Sequence, residues 1–421
     1  MHEENPGTLT VLKEIFKTRN VSILTTTQTL SMIVGTLWTP FQALYILELG
    51  ASKQDLGLIL TFQSITELVI QIPGGILTDR WGRKRVIILS AALRLLSTLV
   101  FLFAFHWTHV APALVLTSAS IISAPASSAL LAESISKKNV STAFAAIRTV
   151  TEFPLIFTSL LGGIIIDRVG LISGVRTMLI VYALVTLLSM LLQWSYITET
   201  VERPTSKPER PSLLGVLRDI KELSGNIWTL AIIMGISTFA LRLISSYTVV
   251  YATEVIGLST TQWGLLGTIA NLTAILISIP GGRVSDVIGR KTGVILSRIP
   301  MTLATLGYTV SKNFTHLAIV RTLNGFGSGI GADLYGTQGG PLWQALIVEY
   351  TPASDRGKIM GVIGTIKSVL SSPASWVGGY FYENVSPSMP FYSSFLMDAL
   401  AIVMLVFLLK PSNYDVEDLP D

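Results

Sequence analysis

The 421-residue chain has no cysteine, which excludes disulfides, thiol nucleophiles and thiolate metal sites. Histidine is almost as scarce. His2, His106, His109 and His316 are the whole supply, all at the N-terminus or near the ends of apolar runs. They form no cluster from which a metal site or a catalytic triad could be built. No phosphate-binding loop is present, so nothing points to ATP as a driving force. No cofactor is expected, and an enzyme is not. Charge is thin as well. Asp, Glu, Lys and Arg make up 13% of the residues, where a soluble domain has about 25%. The net charge of +4 is too small to suggest a nucleic-acid partner. The first residues, "MHEENPGTLTVLKEIFKTRN", lack the apolar core of a signal peptide. Leu9 to Phe16 reads instead as a short amphipathic helix on a membrane surface, with Lys13, Lys17 and Arg19 towards headgroups.

What fills the chain is apolar sequence. Half of the residues are hydrophobic and the mean hydropathy is +0.60. Crossing a bilayer core of ~30 Å takes about 20 apolar residues as a helix. Val86–Phe105, Thr177–Trp194 and Phe391–Leu409 are examples of such runs. They lack the two-residue alternation of a membrane β-barrel. The expectation is an all-α membrane protein with twelve spans near 22–48, 55–77, 85–105, 110–135, 141–167, 176–198, 226–253, 260–282, 292–310, 316–350, 357–383 and 390–410. The proline- and charge-rich "ETVERPTSKPERPS" cannot lie in lipid, so 199–225 reads as a linker. The expected parts are an N-terminal segment 1–20, a six-helix bundle 21–198, the linker, a second bundle 226–410 and a tail 411–421. With the N-terminus cytoplasmic, 20 Lys and Arg fall on the cytoplasmic side and four outside; the other six of 30 lie within spans. That asymmetry puts both termini in the cytoplasm of a cell whose cytoplasmic membrane the chain spans.

Two stretches repeat. "PGGILTDRWGRKR" begins at Pro73 and "PGGRVSDVIGRK" at Pro280, an offset of 207 residues. At that offset Gly74, Asp79, Gly82, Arg83 and Lys84 meet Gly281, Asp286, Gly289, Arg290 and Lys291. Gly50, Gly57 and Thr61 meet Gly257, Gly264 and Thr268. The two bundles are therefore parallel repeats. Past the ninth span the offset changes: Glu133 in "LLAESI" meets Glu349 in "ALIVEY" at 216. The tenth span has gained about nine residues, within or beside "GFGSGIGADLYGTQGGP". As one helix, 316–350 would be ~52 Å long, too long for a single crossing. A break near Gly336–Pro341 is predicted.

Twelve spans, parallel repeats and the loop "GGILTDRWGRKR" resemble the major facilitator superfamily, over essentially the whole chain. The second loop keeps the Gly, Asp and Gly-Arg-Lys positions and has Val287 where the first has Arg80. "RTLNG" (321–325) resembles the family's Arg-x-x-Gln-Gly signature, on the tenth span here and on the fourth in the family. "TSLLGG" (158–163) keeps the glycine pair of the family's antiporter signature and lacks its Gly-Pro. The resemblance implies two bundles around a central cavity. It also implies secondary active transport by alternating access, a small-molecule substrate and the bilayer as surroundings. A monomer is the expected working unit. Spans 1, 4, 7 and 10 would line the cavity first, with 2, 5, 8 and 11 beside them.

An Asp at the end of the second span could cap the unpaired N–H groups at the start of the eleventh. Gly74, Gly75, Gly357 and Gly361 would allow the close approach. Asp286 would act likewise on the start of the fifth span near Ser141. The gating set is Gly74, Gly75, Asp79, Arg80, Gly82, Arg83 and Lys84, with Gly281, Gly282, Asp286, Gly289, Arg290 and Lys291. Ionisable residues deep in a bilayer are costly and mark function. Arg148 and Glu152 share a helix face. Arg148, Arg242 and Lys367, with the hydrogen-bonding Gln28 and Asn271, are candidates for substrate binding. Glu152 and Asp333 are candidates for proton coupling. Glu67 could pair with Arg94; Arg298, near a span end, could snorkel; Asp398 lies on a peripheral span. Mid-membrane basic residues outnumber acidic ones, which favours an anionic or zwitterionic organic solute. A proton-coupled multidrug efflux antiporter is the alternative, and a non-transporting sensor or scaffold a remote one.

Overall fold

A computed structural model describes residues 16–135, 147, 150–200, 224–334, 339–352 and 355–410, with their side chains except at 71–76, 79 and 80. The expected surface helix at Leu9–Phe16 (save Phe16), nearly all of the linker and the tail lie outside these residues. Among the described residues the regular structure is entirely helical. α1 (Arg19–Trp38) runs through a 3-10 turn into α2 (Gln42–Glu48). α3 is Lys53–Trp81 and α4 Arg83–Leu102. α5 (Val110–Ala119) and α6 (Ala124–Glu133) are joined by the 3-10 turn Ser120–Ser123. α7 is Thr158–Val169, following the 3-10 turn Phe153–Ile156, and α8 is Leu171–Tyr196.

The second half opens with α9 (Gly225–Ile244) and the short α10 (Tyr247–Val250), which ends in a π-helical turn, Tyr251–Val255. α11 is Thr260–Ile288, α12 Arg290–Val310 and α13 Phe314–Ile330. α14 is Pro341–Glu349, α15 Arg356–Ser371, α16 Ala374–Asn384 and α17 Met389–Phe407. All twelve expected spans fall on these helices, the fifth in its described part. Among the described residues, eight helical segments are long and apolar enough to cross a membrane. Their outer faces carry large apolar side chains such as Leu276, Ile279 and Phe407, each more than two-thirds exposed, as a lipid-facing surface requires.

Two compact units divide the chain. One holds residues 1–50 and 65–209, the other 51–64 and 210–421. Within the first, Val21, Leu24, Val86, Leu130 and Ile197 form a buried core. Within the second, α9, α14, α15 and α17 bury Leu230, Met234, Trp343, Ile363 and Leu405 together. The start of α3 belongs to the second unit because it lies directly on α16. A Cβ on Gly57 would stand 2.3 Å from the Ser375 carbonyl oxygen, and one on Gly379 2.4 Å from that of Lys53. Only glycine allows such an approach. The Tyr247 hydroxyl is placed between both carbonyls, 3.1 Å from Lys53 O and 2.9 Å from Ser375 O. Lys53 pairs with Glu254 at 3.1 Å, and the Glu383 carboxylate accepts the Gln54 N–H at 2.8 Å.

The tenth span is broken, and the break starts at Gly331, earlier than Gly336. Gly331 takes a left-handed conformation (φ +101°) and closes α13, its N–H bonded to Ser328 O. α13 is thus 17 residues, ~26 Å, a length that fits the bilayer core. Proline stands at the first position of α14, where its missing N–H costs nothing. Three bonds secure the break: Leu342 N–H to Gly331 O, Gly340 N–H to Asp333 O, and Trp343 Nε1–H to Ala332 O. The glycines before it serve packing. Gly325 and Gly329, one turn apart, lie against the backbone of α11 at Ala270 and Ala274, and Gly327 lies against Ser297 of α12.

Candidate functional site

The break in the tenth span shapes the candidate site of the second unit. Where the helix stops, carbonyl groups lose their intrahelical partners. Leu334 offers one, and the Lys367 ammonium of α15 donates to it at 3.0 Å. Lys367 is 2% exposed. A buried ammonium needs such a partner, because desolvation disfavours the charge. The charges of Asp333 and Arg242 both act on it. Gly340 makes room for Asp333: a Cβ there would stand 2.9 Å from its carboxylate oxygen. Arg242, half-buried, ends α9, and the Ser375 hydroxyl of α16 reaches its carbonyl oxygen at 3.5 Å. So Arg242, Asp333 and Lys367, chosen separately from sequence, gather at one place in the second unit.

The other candidates do not join them there. Asn271 is exposed on α11. In the first unit Gln28 is half-buried on α1, and Glu152 is exposed just before the 3-10 turn Phe153–Ile156. Arg148 lies outside the described residues. Two residues outside the candidate sets, Arg298 and Asp398, are deeply placed. Arg298 does not snorkel. It is 4% exposed and bonded to Asp398, itself 4% exposed, and the Thr302 hydroxyl donates to the same carboxylate. A guanidinium this deep is stable beside a carboxylate, not at a distant interface. The signal available was chemical: one buried cation on α12 requires one buried anion, and α17 holds a single acid, Asp398.

The two loops of the gating set also hold more than expected. Gly82 and Gly289 both have φ +88° and stand at the N-cap of α4 and α12. The guanidinium of Arg83 pairs with Glu133 at 2.9 Å, and that of Arg290 with Glu349 at 3.8 Å. Repeat-matched arginines thus meet repeat-matched glutamates. Arg290 also donates to Ala345 O at 3.1 Å. The Glu199 carboxylate accepts the backbone N–H of Arg83 at 3.1 Å and of Lys84 at 3.2 Å. Lys291 does the reverse: its ammonium donates to the Val406 and Leu409 carbonyl oxygens at 3.0 and 2.7 Å, at the end of α17. Gly74, Gly75, Asp79 and Arg80 lie on the helical backbone of α3, with Asp79 and Arg80 in its last turn and their side chains outside the description. Asp286 is exposed, and its expected partner near Ser141 lies outside the described residues. Gly281 lies 3.1 Å from the Cα of Ile330, measured from the position of an added Cβ. At Gly282, Gly357 and Gly361 a Cβ would meet nothing within 4 Å.

The family model described as Major Facilitator Superfamily matches residues 24–272 and 230–418. Among curated proteins, the quinolone resistance protein NorA of Staphylococcus aureus (strain MRSA252) is 28% identical over 154 residues, 37% of this chain and 37% of NorA. Citrate exporter 1 of Yarrowia lipolytica (strain CLIB 122 / E 150) is 27% identical over 162 residues, 38% of this chain and 22% of the exporter. These alignments span well under half of either relative. Among solved structures, a variant of the nucleoside transporter NupG covers 92% of this chain and 99% of its own, with a TM-score of 0.76 at 11% identity. The human organic anion transporter MFSD10 covers 92% and 99%, with a TM-score of 0.64 at 15% identity. At such identities these structures speak for the fold.

Proposed function

Because the chain belongs to the Major Facilitator Superfamily, we propose that it moves a small organic anion or zwitterion across the cytoplasmic membrane by alternating access, coupled to protons. It is a multi-pass membrane transporter and not an enzyme. One observation carries the choice of solute: Lys367, 2% exposed, is held at the break of the tenth span within reach of the charges of Asp333 and Arg242. Two cationic groups and one acid leave a net positive site in low dielectric. An anionic group on the solute would be attracted there, and a lone cation would not. Asp333 is the group we assign to proton exchange, with Glu152 its candidate counterpart in the first unit. Gln28, Arg148 and Asn271 remain candidates for the solute's polar groups.

Alternating access would have to release the start of α3 from α16. In the described arrangement Gly57, Gly379, Tyr247 and the Lys53–Glu254 pair hold it there. The Asp79 and Asp286 latches belong to the opposite phase of that cycle in our reading. Both termini are cytoplasmic in this reading and the unit is a monomer.

The test is a thermal-shift screen of the purified protein against anionic, zwitterionic and cationic solutes, repeated on Lys367→Ala and Arg242→Ala. Stabilisation by anions or zwitterions is expected, with at least tenfold weaker half-saturation in Lys367→Ala, since a charge-assisted hydrogen bond contributes about 1.5–3 kcal/mol. Stabilisation by cationic amphiphiles alone would establish the second reading, multidrug efflux. The similarity to a quinolone resistance protein favours that alternative.

A further inference from the structure

The second unit contains a polar cavity that the transport reading does not use. It has a volume of about 90 Å³ and lies among α9, α12, α13 and α17, so its walls include none of Arg242, Asp333 or Lys367. Arg298, Arg321 and Asp398 line it, together with Tyr308, Asn324 and Thr305. The charges do not cancel. Arg298 and Asp398 neutralise each other in their buried pair. Arg321 adds one positive charge. Its guanidinium lies 5.0 Å above the Trp263 ring, and its Nε is buried with no acceptor among the described residues. The Nε of Arg298 is in the same condition. Tyr308 is 4% exposed, stacked on Phe391, and its hydroxyl is also buried without a partner. Buried polar groups are ordinarily bonded, and three residues that line this one cavity each keep an unsatisfied donor.

We propose that this cavity is a binding site for a small anion of single charge, of the size of chloride, nitrate or formate. The charge follows from the residual +1 of the lining. The size follows from the volume: one water takes roughly 30 Å³ in the liquid, so the space holds a few waters or one small anion with water. The donor set, two guanidinium groups, a phenol and the Asn324 amide, suits an acceptor without donors of its own. A cation would meet the Arg321 charge. A neutral solute would leave that charge uncompensated in a low-dielectric interior. The bound anion would tie α13 to α12 and α17, inside one unit. The inference does not depend on what the transporter carries.

The experiment uses the full chain purified in gluconate buffer and titrated with chloride, nitrate and formate while its thermal unfolding is followed. The wild type is expected to be stabilised saturably by the small anions. Arg321→Gln should bind them about tenfold or more weakly, from the loss of one charge-assisted contact. Tyr308→Phe, which keeps the ring on Phe391, should weaken them several-fold. It decides the matter should Arg321→Gln fail to fold. Lys367→Ala should keep the wild-type response to chloride and nitrate, which separates this site from the one proposed for the organic solute. Crystals grown with bromide should show it between Arg321 and Tyr308. A response without saturation, or equal in wild type and in the Arg321 and Tyr308 variants, would overturn the proposal.

Discussion

The two repeated loops begin with the same local instruction and end on opposite partners. In both, a glycine at φ +88° turns the chain into the next helix, and the following arginine reaches a glutamate. Beyond that they diverge. At the first loop an anion, Glu199, closes on the free N–H groups at the start of α4. At the second a cation, Lys291, closes on the free carbonyls at the end of α17. Both satisfy the same physical demand, since a helix N-terminus attracts negative charge and a C-terminus positive charge. The shared Gly-Arg-Lys therefore sets the turn. Sequence far away decides which helix end is capped. The Asp of each loop, expected to act as a latch, is not needed for either of these contacts.

Substituting the glycines should give the largest difference between the loops. Gly82 and Gly289 have ψ 159° and 149° at φ +88°, a conformation that a residue with a Cβ adopts at a cost of about 1–3 kcal/mol. Gly289→Ala should lose that much, because an added Cβ meets nothing. In Gly82→Ala the Cβ would stand 2.5 Å from the Glu199 carboxylate and displace it. The cap would be lost as well, a further ~1 kcal/mol. Thermal unfolding of the two variants measures the difference. Equal losses would mean that Glu199 contributes nothing to stability.

The arginine–glutamate pairs should separate the loops less. Arg83 and Glu133 have side-chain exposures of 14% and 32% and a 2.9 Å contact, and the Thr200 hydroxyl also donates to Glu133. Arg290 and Glu349 are 34% and 30% exposed at 3.8 Å. Partly exposed pairs contribute at most about 1 kcal/mol. Glu133→Gln should approach that figure and Glu349→Gln fall below half of it. A double-mutant cycle on each pair isolates the coupling. A larger coupling at the second pair would reverse the ranking of the two loops.

How much of this was legible follows from what kind of signal each feature leaves. The helices were, since each carries its own apolar run. The repeat was, because Gly82 and Gly289 recur at a constant offset. The broken tenth span showed up as surplus length. Its starting point did not, because several glycines precede Gly331 and only packing tells them apart: Gly325, Gly327 and Gly329 are needed against α11 and α12, and Gly331 is the first one free to turn. Glu133 and Glu349 were matched as register marks, while their arginine partners are 50 and 59 residues away in the chain and had no local signature. Arg298 and Asp398 are a hundred residues apart. Glu199 looked like the first residue of a linker. Lys367, Asp333 and Arg242 stand out in the sequence one at a time, because a charge in an apolar run is conspicuous. Their meeting depends on how α9, α13 and α15 pack, which no spacing reveals.

The caps themselves offer the finest test. Glu199→Gln keeps the shape of the side chain and one acceptor oxygen, and removes the charge and the second acceptor, so α4 should lose the charge–dipole part, about 0.3–1 kcal/mol, and one of the two N–H···O bonds. Lys291→Met keeps the stem and removes both the charge and the donors, leaving the Val406 and Leu409 carbonyls at the end of α17 to water. Its loss should be similar or slightly larger. Salt distinguishes the mechanisms. Exposed charge–dipole contacts weaken as the screening length falls from about 10 Å at 0.1 M to 3 Å at 1 M. The Glu199 effect should therefore shrink markedly in high salt. The Lys291 effect should shrink less, because two hydrogen bonds are lost along with the charge. If both shrank alike, the Lys291 contact would be electrostatic only, and the two loops would cap their helices by one mechanism with the sign reversed.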